Sequence, residues 1–178
     1  MNEKNNPIGV QFWEREAENL PLGKLKAFAQ FICGLCFYRG EFGAKQDFNR
    51  AVEYFKASTG LSFAPGRYWY GICLKNGDGV EKNLEEAAKR FKISAEQGFS
   101  DAQYQYGLCL YNGDGVEKNL KEAVANFEKA AKNGHEGAQK AYDVVSKRSL
   151  NEQNMLSQLE GVFMDIERGN AVIRRRQI

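Results

Sequence analysis

Residues 70–98 read YGICLKNGDGVEKNLEEAAKRFKISAEQG, and residues 106–134 read YGLCLYNGDGVEKNLKEAVANFEKAAKNG. The second stretch lies 36 positions after the first and is identical to it at 18 of 29 positions. A fainter copy precedes both, in which Gly34, Cys36 and Phe55 fall on the same columns once an extra residue in the loop at 41–42 is allowed for. A fixed period of this length is the signature of a repeat architecture, so it decides the fold.

Each copy has the pattern of two helices. Asn83, Asn119 and Ser100 each have Glu or Gln three positions later, the spacing of a capping box that begins a helix. Gly77 and Gly113 follow helical runs, where a left-handed residue would end them. We expect first helices, called A helices, at about 26–39, 64–76, 100–112 and 136–147, and second helices, called B helices, at about 48–58, 84–97 and 120–133.

The chain is predicted to be all-α, an α/α solenoid of about three repeats with partial units at its ends, because no unit can bury its apolar face alone. An apolar pattern at 8–20 predicts a helix that shields the first unit, and Ser149 is expected to begin a separate C-terminal capping helix that stops near Gly169. The apolar stripe of that helix also fits a docking or dimerisation helix, or one that folds back into the protein's own groove. The predicted segments are an N-terminal capping segment at 1–24, a repeat array at 25–148 with units at about 25–62, 63–98, 99–134 and a half unit at 135–148, and an amphipathic helix with a basic tail at 149–178.

The charge balance argues against nucleic-acid and membrane partners. The chain carries 25 Lys and Arg against 23 Asp and Glu, a net charge of +2, so electrostatic capture of nucleic acid is not expected. The arginine run at 174–176 is interpreted as a solvated tail. No apolar run approaches the roughly 18–20 residues that span a bilayer, and the N-terminus lacks the basic-then-apolar order of a cleaved leader.

The four cysteines are predicted to be buried thiols that fill core space. Cys33 and Cys36 have the C-x-x-C spacing of a metal site, but Cys36, Cys73 and Cys109 share one repeat column. Neighbouring helices lie about 8–10 Å apart, too far for a disulfide or for convergent zinc ligands. We therefore expect no metal and no cofactor, and a reducing, cytoplasmic compartment.

Two other motifs are interpreted as structural. The NGDG loops at 76–79 and 112–115 resemble the start of a calcium loop but lack its sixth-position glycine and its terminal glutamate, so they are expected to be tight turns. His135, the only histidine, shares a column with Phe63 and Phe99, which predicts a packed ring rather than a catalytic base.

The pattern A-Q-Y-x-Y-G-x-x-L-x-x-G-x-G-V followed by N-x-x-E-A-x-x-x-F-x-x-x-A-x-x-G resembles the Sel-one-like repeat family, relatives of the tetratricopeptide repeat. The resemblance is specific over 64–141, weaker over 25–63, and absent from 1–20 and 149–178. It implies a right-handed solenoid that binds protein segments on its concave side, typically in adaptors, assembly factors and signalling complexes.

The resemblance also implies which residues face the concave side. In part the residues agree, because Tyr104, Leu108 and Tyr111 are spaced i, i+4, i+7 and form a second apolar stripe beside the core stripe. The alternative is that some of these rings only pack between successive A helices. The predicted partner-binding residues are Phe31, Leu35, Tyr38, Arg39, Tyr68, Ile72, Lys75, Asn76, Tyr104, Leu108, Tyr111 and Asn112.

The leading hypothesis for function is a non-enzymatic, cytoplasmic interaction module, an adaptor or scaffold, that binds a protein or peptide segment in an aromatic-lined groove. One alternative is an inhibitor or immunity-type protein that blocks a single cognate enzyme or toxin. Another is a hydrolase, since some cysteine-rich secreted members of the resembled family have been linked to β-lactam hydrolysis. Those members carry paired cysteines in each repeat, which this chain lacks outside Cys33 and Cys36. The partner and the oligomeric state are left open.

Overall fold

The computed structural model describes residues 9–60 and 62–175, with side chains for all of these except 161–163 and 165–175. This part of the chain is helical and contains no strand, which confirms the all-α prediction. The A helices and B helices alternate, each packing on the one before it. The helices are α1 (Val10–Asn19), α2 (Lys24–Arg39), α3 (Phe48–Ser58), α4 (Ala64–Asn76), α5 (Leu84–Glu96), α6 (Ser100–Asn112), α7 (Leu120–Lys132) and α8 (Ala138–Arg175).

The B helices α3, α5 and α7 begin at side-chain caps. Asp47, Asn83 and Asn119 each accept a hydrogen bond from the backbone N–H three residues later, at 3.1, 2.9 and 3.0 Å. These bonds satisfy donors that the first turn of a helix leaves without a partner. Asn83 and Asn119 therefore cap helices as predicted, but only half of each capping box forms. The backbone N–H of each asparagine donates to the carbonyl of Leu74 or Leu110, at 2.9 Å in both cases, and not to the glutamate three residues later. The helix end predicted at Gly113 is confirmed, with a φ of +85°.

The capping box predicted at Ser100 is wrong. Ser100 is the first residue inside α6, and Phe99 precedes it with no side-chain cap. The Gln103 side chain is buried and serves a different purpose: it donates to the Ala95 carbonyl at 3.2 Å and accepts from Asn133 at 2.9 Å. This amide connects α6 to the B helix before it and to the turn after α7.

The separate capping helix predicted to begin at Ser149 is also wrong. The helix that begins at Ala138 runs without a break through Ser149 to Arg175. No glycine or proline interrupts residues 138–160, and the ion pair from Arg148 to Glu152, at 3.3 Å, spans the expected break. A capping box is only one of several uses for these residue types, and here propagation of an existing helix prevails.

Among the α8 side chains that the structure describes, those at the beginning of the helix cover the last repeat. Ala138 and Val145 are buried against the neighbouring unit, whereas Met155, Leu156 and Leu159 are exposed. The apolar stripe predicted for this segment also included Val162, Phe163 and Ile166, whose side chains lie outside the described residues.

The N-cap at Asn119 and the mid-helix position of Ser149 allow a direct comparison. Asn119→Ala is expected to lower the free energy of unfolding by about 1 kcal/mol, because it removes the acceptor for the Glu122 N–H. Ser149→Ala is expected to change it by less than about 0.5 kcal/mol, since the residue lies inside a continuous helix. Urea unfolding of both variants measures the difference, and equal losses would show that a helix begins at Ser149 after all.

The core is built on a phenylalanine in each B helix and a glycine in each A helix. Phe55, Phe91 and Phe127 are fully buried. A Cβ placed on Gly107 would lie 2.7 Å from the Phe127 ring, so only glycine lets the two helices approach this closely. Gly34 and Gly71 meet Phe55 and Phe91 in the same way.

Successive units are held in register by the NGDG turns. Gly115, with a φ of +71°, lies so close to the start of α5 that a Cβ would overlap the Leu84 carbonyl. Gly79 approaches Phe48 at the start of α3 in the same manner. The turn of each unit therefore docks on the first residues of the preceding B helix, which confirms the turn interpretation of these loops.

The first unit is covered by α1. Val10 and Ala17 are buried, and Glu14 accepts a hydrogen bond from the Tyr54 hydroxyl at 3.1 Å and pairs with Arg50. The helix expected at 8–20 is thus observed as Val10–Asn19.

Candidate protein-binding surface

The predicted partner-binding residues form four rows, each with one residue from α2, α4 and α6, because the three A helices repeat in register. We call them the aromatic row, the aliphatic row, the bridge row and the rim row. In that order they are Phe31, Tyr68 and Tyr104; Leu35, Ile72 and Leu108; Tyr38, Lys75 and Tyr111; and Arg39, Asn76 and Asn112.

The aromatic row packs between B helices and the linkers that lead to the next unit. The Tyr68 ring lies 5.8 Å from Phe91 of its own unit and 5.3 Å from Phe99 at the start of the next. Tyr104 repeats the arrangement with Phe127 at 5.7 Å. These rings remain partly exposed, but much of their area already stabilises the stack.

His135 completes the same arrangement in the third unit. Its ring stacks on Tyr104 at 4.2 Å, where Phe99 contacts Tyr68 in the unit before. Its Nε2 atom lies 4.0 Å from the Asp101 carboxylate. The histidine therefore occupies a packing position, as the column predicted.

The bridge row connects each A helix to the next repeat unit. The Tyr38 hydroxyl donates to Asp78 at 2.8 Å, and Lys75 donates to Gln105 at 3.1 Å. Arg148 of α8 donates to the Tyr111 hydroxyl at 3.1 Å. Burial, with Asp78 acting in the same direction, raises the pKa of the Tyr38 hydroxyl to about 12, so this hydroxyl stays protonated and can donate at physiological pH.

The aliphatic row and the rim row lie side by side along the surface. Leu35, Ile72 and Leu108 are half-buried and pack on the core beneath them. The rim residues Arg39, Asn76 and Asn112 are exposed. The Nδ2 atoms of the two asparagines donate to the carboxylates of Asp78 and Asp114, at 3.0 and 3.1 Å, which orients their side chains.

Sequence reasoning missed Trp69 and Arg148. Trp69 lies edge-on to Tyr38 at 5.3 Å, with the Arg39 guanidinium 5.8 Å from its ring centre. Its column holds Ile32 and Gln105 in the other units, so the repeat pattern gave no signal. Arg148, in contrast, falls 36 positions after Asn112, and extending the rim column into the half unit would have found it.

The cysteines are unreactive packing residues. All four are free and buried, which confirms the prediction of core thiols. Burial is the main cause that raises the pKa of Cys33 and Cys73 to about 12 and that of Cys109 to about 11. The thiolate, which is the nucleophilic form, is therefore suppressed in the folded protein.

The same shifts predict a loss of stability at high pH. Burial also raises the pKa of Tyr68 and Tyr106 to about 12. A group whose pKa is raised by folding stabilises the protein fully below its unfolded pKa and loses that contribution as the pH rises through the folded value. The urea midpoint is therefore expected to be constant up to about pH 8 and to fall between about pH 9 and 12. A midpoint unchanged across that range would show that these groups ionise in place.

None of the helices in the described part of the chain is both long and apolar enough to cross a membrane. Nor do residues 9–60 and 62–175 bring together three or more side chains of the types that hold a metal ion.

Stacked two-helix units, with their first helices aligned along one face, define an α/α solenoid repeat protein. The chain belongs to the Sel1 repeat family, whose model matches residues 27–59, 64–99 and 100–135. Proteins of this family generally act as protein–protein interaction modules and are typically non-enzymatic scaffolds.

Solved structures support the fold. A Sel1 repeat protein from Oxalobacter formigenes is 25% identical with a TM-score of 0.69, over 80% of this chain and 56% of that one. The antigen c5321 of uropathogenic Escherichia coli, described as displaying an SLR fold, is 22% identical with a TM-score of 0.56, over 84% and 39%. Helicobacter pylori cysteine rich protein B is 23% identical with a TM-score of 0.60, over 79% and 97%. The chain thus spans about half, or less, of the first two structures, and no curated protein matches it.

Proposed function

We propose that the protein is a non-enzymatic interaction module that binds a protein segment along the aliphatic row. One observation carries the proposal: the same half-buried aliphatic position recurs in three successive A helices, each time beside an exposed polar rim residue. A continuous apolar strip with a polar edge is the arrangement that protein interfaces use, with an apolar centre and a polar rim.

Each row has a different role in the proposed binding. Leu35, Ile72 and Leu108 supply the apolar floor, and the rim row supplies hydrogen-bonding groups for an extended or helical segment. Asn76 and Asn112 are already oriented by their aspartates, so less side-chain freedom is lost on binding. The aromatic row contributes the exposed parts of its rings, while the remainder of each ring packs on the B helices and linkers.

The chemistry of the chain favours binding over catalysis. His135 is stacked on Tyr104, and the cysteine thiols are buried with raised pKa values. Four unpaired cysteines also suit a reducing compartment, and we place the protein in the cytoplasm on that basis.

Capture from a native lysate of the source cells tests the proposal. The bait is the whole chain, and the test variant is Arg39→Ala/Asn76→Ala/Asn112→Ala, which alters only exposed side chains. A matched control, Lys56→Ala/Lys92→Ala/Lys129→Ala, changes three exposed residues on the B helices. Melting curves show whether both variants remain as stable as the native chain.

We expect a protein that is captured by the native chain and by the B-helix control but is reduced with the rim variant. Each hydrogen bond lost costs about 0.5–1.5 kcal/mol, so removing the three polar groups of the rim row is expected to lower the affinity several-fold or more. Equal capture by all three baits would show that the partner binds elsewhere.

A further inference from the structure

The four rows of the candidate surface continue into α8. Ala138 of this helix is buried as fully as Ala102 of α6, 36 positions earlier, so the two helices share one register. In that register the aromatic, aliphatic, bridge and rim positions of α8 are Lys140, Val144, Lys147 and Arg148. They are spaced i, i+4, i+7 and i+8, and therefore share one face of the helix.

Across the four units, every charged residue of the rows is basic. The rows have sixteen positions, which hold five basic residues and no acidic one, although the whole chain has 23 acidic residues against 25 basic ones. The five are Arg39, Lys75, Lys140, Lys147 and Arg148. Three of them belong to α8, so the positive charge is concentrated at that end of the surface.

The two arginines of the rows already have acidic partners within the chain. Arg39 pairs with Glu41 at 3.8 Å, and Arg148 pairs with Glu152 at 3.3 Å. Arg148 also donates to the Tyr111 hydroxyl, which holds it beside the third unit. These charges are therefore partly balanced before any ligand binds.

The two lysines of α8 lie on either side of an exposed valine and are not balanced in this way. Val144 is 64% exposed, whereas its counterparts in the aliphatic row are half-buried. Lys140 and Lys147 are exposed, and neither forms an ion pair with the side chains that the structure describes. Asp143, which lies between them in sequence, accepts a hydrogen bond from Gln139 at 2.9 Å instead. An apolar group between two unpaired ammonium groups fits a ligand that is both apolar and acidic.

We infer that the segment bound along the aliphatic row is acidic and that its carboxylates lie over α8. The inference rests on the proposed function, because it concerns the partner of the same surface. Apolar side chains of the segment contact Ile72, Leu108 and Val144, and Asp or Glu side chains pair with Lys140 and Lys147. Opposite charges beside an apolar contact favour one kind of partner and fix its orientation.

The distance between units sets the spacing of residues in an extended partner segment. Neighbouring helices lie about 8–10 Å apart, and an extended chain advances about 3.3 Å per residue. Successive units therefore contact positions about three residues apart. We expect apolar residues at this interval, with acidic residues on both sides of the one that contacts Val144.

Selection from a displayed library of random peptides tests the inference without a known partner. Peptides of about twelve residues are long enough to span three units. The baits are the native chain, the α8 variant Lys140→Glu/Lys147→Glu and the charge control Lys92→Glu/Lys129→Glu, all changed at exposed positions. The control has the same net charge as the α8 variant but carries its changes on B helices. Circular dichroism checks that each bait is folded.

The native chain and the charge control are expected to select peptides that combine apolar residues with Asp or Glu. The α8 variant is expected to select neutral or basic residues at the acidic positions. A labelled peptide from the native selection is expected to bind the α8 variant at least about tenfold more weakly in fluorescence anisotropy, because two attractive contacts become repulsive. Replacing its acidic residues with lysine should reverse this preference.

Three results would overturn the inference. Acidic peptides that bind the α8 variant as tightly as the native chain would show that their carboxylates lie elsewhere. Selected peptides without acidic residues that lose binding to the rim variant would leave the proposed function intact and remove the charge preference. A library that yields no binding peptide, or only peptides that the rim variant binds equally well, would contradict both the inference and the proposed function.

Discussion

Gly115→Ala is expected to lower the free energy of unfolding by about 3 kcal/mol, one of the two largest losses that a single substitution in this chain should cause. Two costs add at this position. The φ of +71° is unfavourable for any residue with a Cβ, and that Cβ would overlap the Leu84 carbonyl at the start of α5. The atoms that the Cβ would meet belong to the backbone of Leu84 and Glu85, so no flexible side chain can move aside. The turn must therefore move away from the preceding unit. Urea unfolding measures the loss.

Gly134→Ala distinguishes the cost of the positive φ from the cost of the steric overlap. Gly134 has a φ of +85°, but no atom lies within 4 Å of the place where its Cβ would be. Only the left-handed backbone then opposes the substitution, at about 1–2 kcal/mol. If both variants lost the same amount, the close approach between the turn and α5 would contribute nothing to stability.

Phe127→Ala is expected to cost about 3–5 kcal/mol, because it removes a fully buried ring and leaves a cavity. The ring packs on Gly107 and on Tyr104, so its loss loosens both the A helix of the unit and the aromatic row above it. Each unit contacts only its neighbours, so the effect should be local. Amide hydrogen exchange is expected to accelerate in α6 and α7 and to change little in α2 and α3.

Phe42→Ala provides the matched control for that substitution. Its ring is 48% exposed and lies in a loop, so the loss should be about 1 kcal/mol or less. Uniform acceleration of exchange throughout the chain with Phe127→Ala would contradict a solenoid held together by neighbour contacts.

The helices could be predicted closely because the repeat fixes their period and their ends. Asn83 and Asn119 as caps, Gly113 as a helix end and the buried cysteine column follow from local chemistry that recurs in each unit. The predictions at Ser100 and Ser149 failed for different reasons. At Ser100 a helix does begin, but Phe99 precedes it and the Gln103 amide bonds to Ala95 and Asn133 instead. At Ser149 a helix that began at Ala138 continues.

The candidate surface could be predicted only in part. The register of the repeat places the four rows on the A helices, and the half-buried aliphatic row follows from its spacing. The sequence could not show that the rings of Tyr68 and Tyr104 also pack on Phe99 and His135 of the next linker, because that contact joins residues about 31 positions apart through the stacking of units. Trp69 was missed because its column changes chemistry from unit to unit.

Site-specific photo-crosslinking tests the central claim most directly. A photoreactive side chain is placed at Asn112 on the rim row in one protein and at Lys92 on a B helix in another, both at exposed positions. With a partner recovered from lysate, the account predicts a crosslinked product from Asn112 and none from Lys92. A crosslink from Lys92 without one from Asn112 would show that the partner binds the B-helix side and would contradict the account.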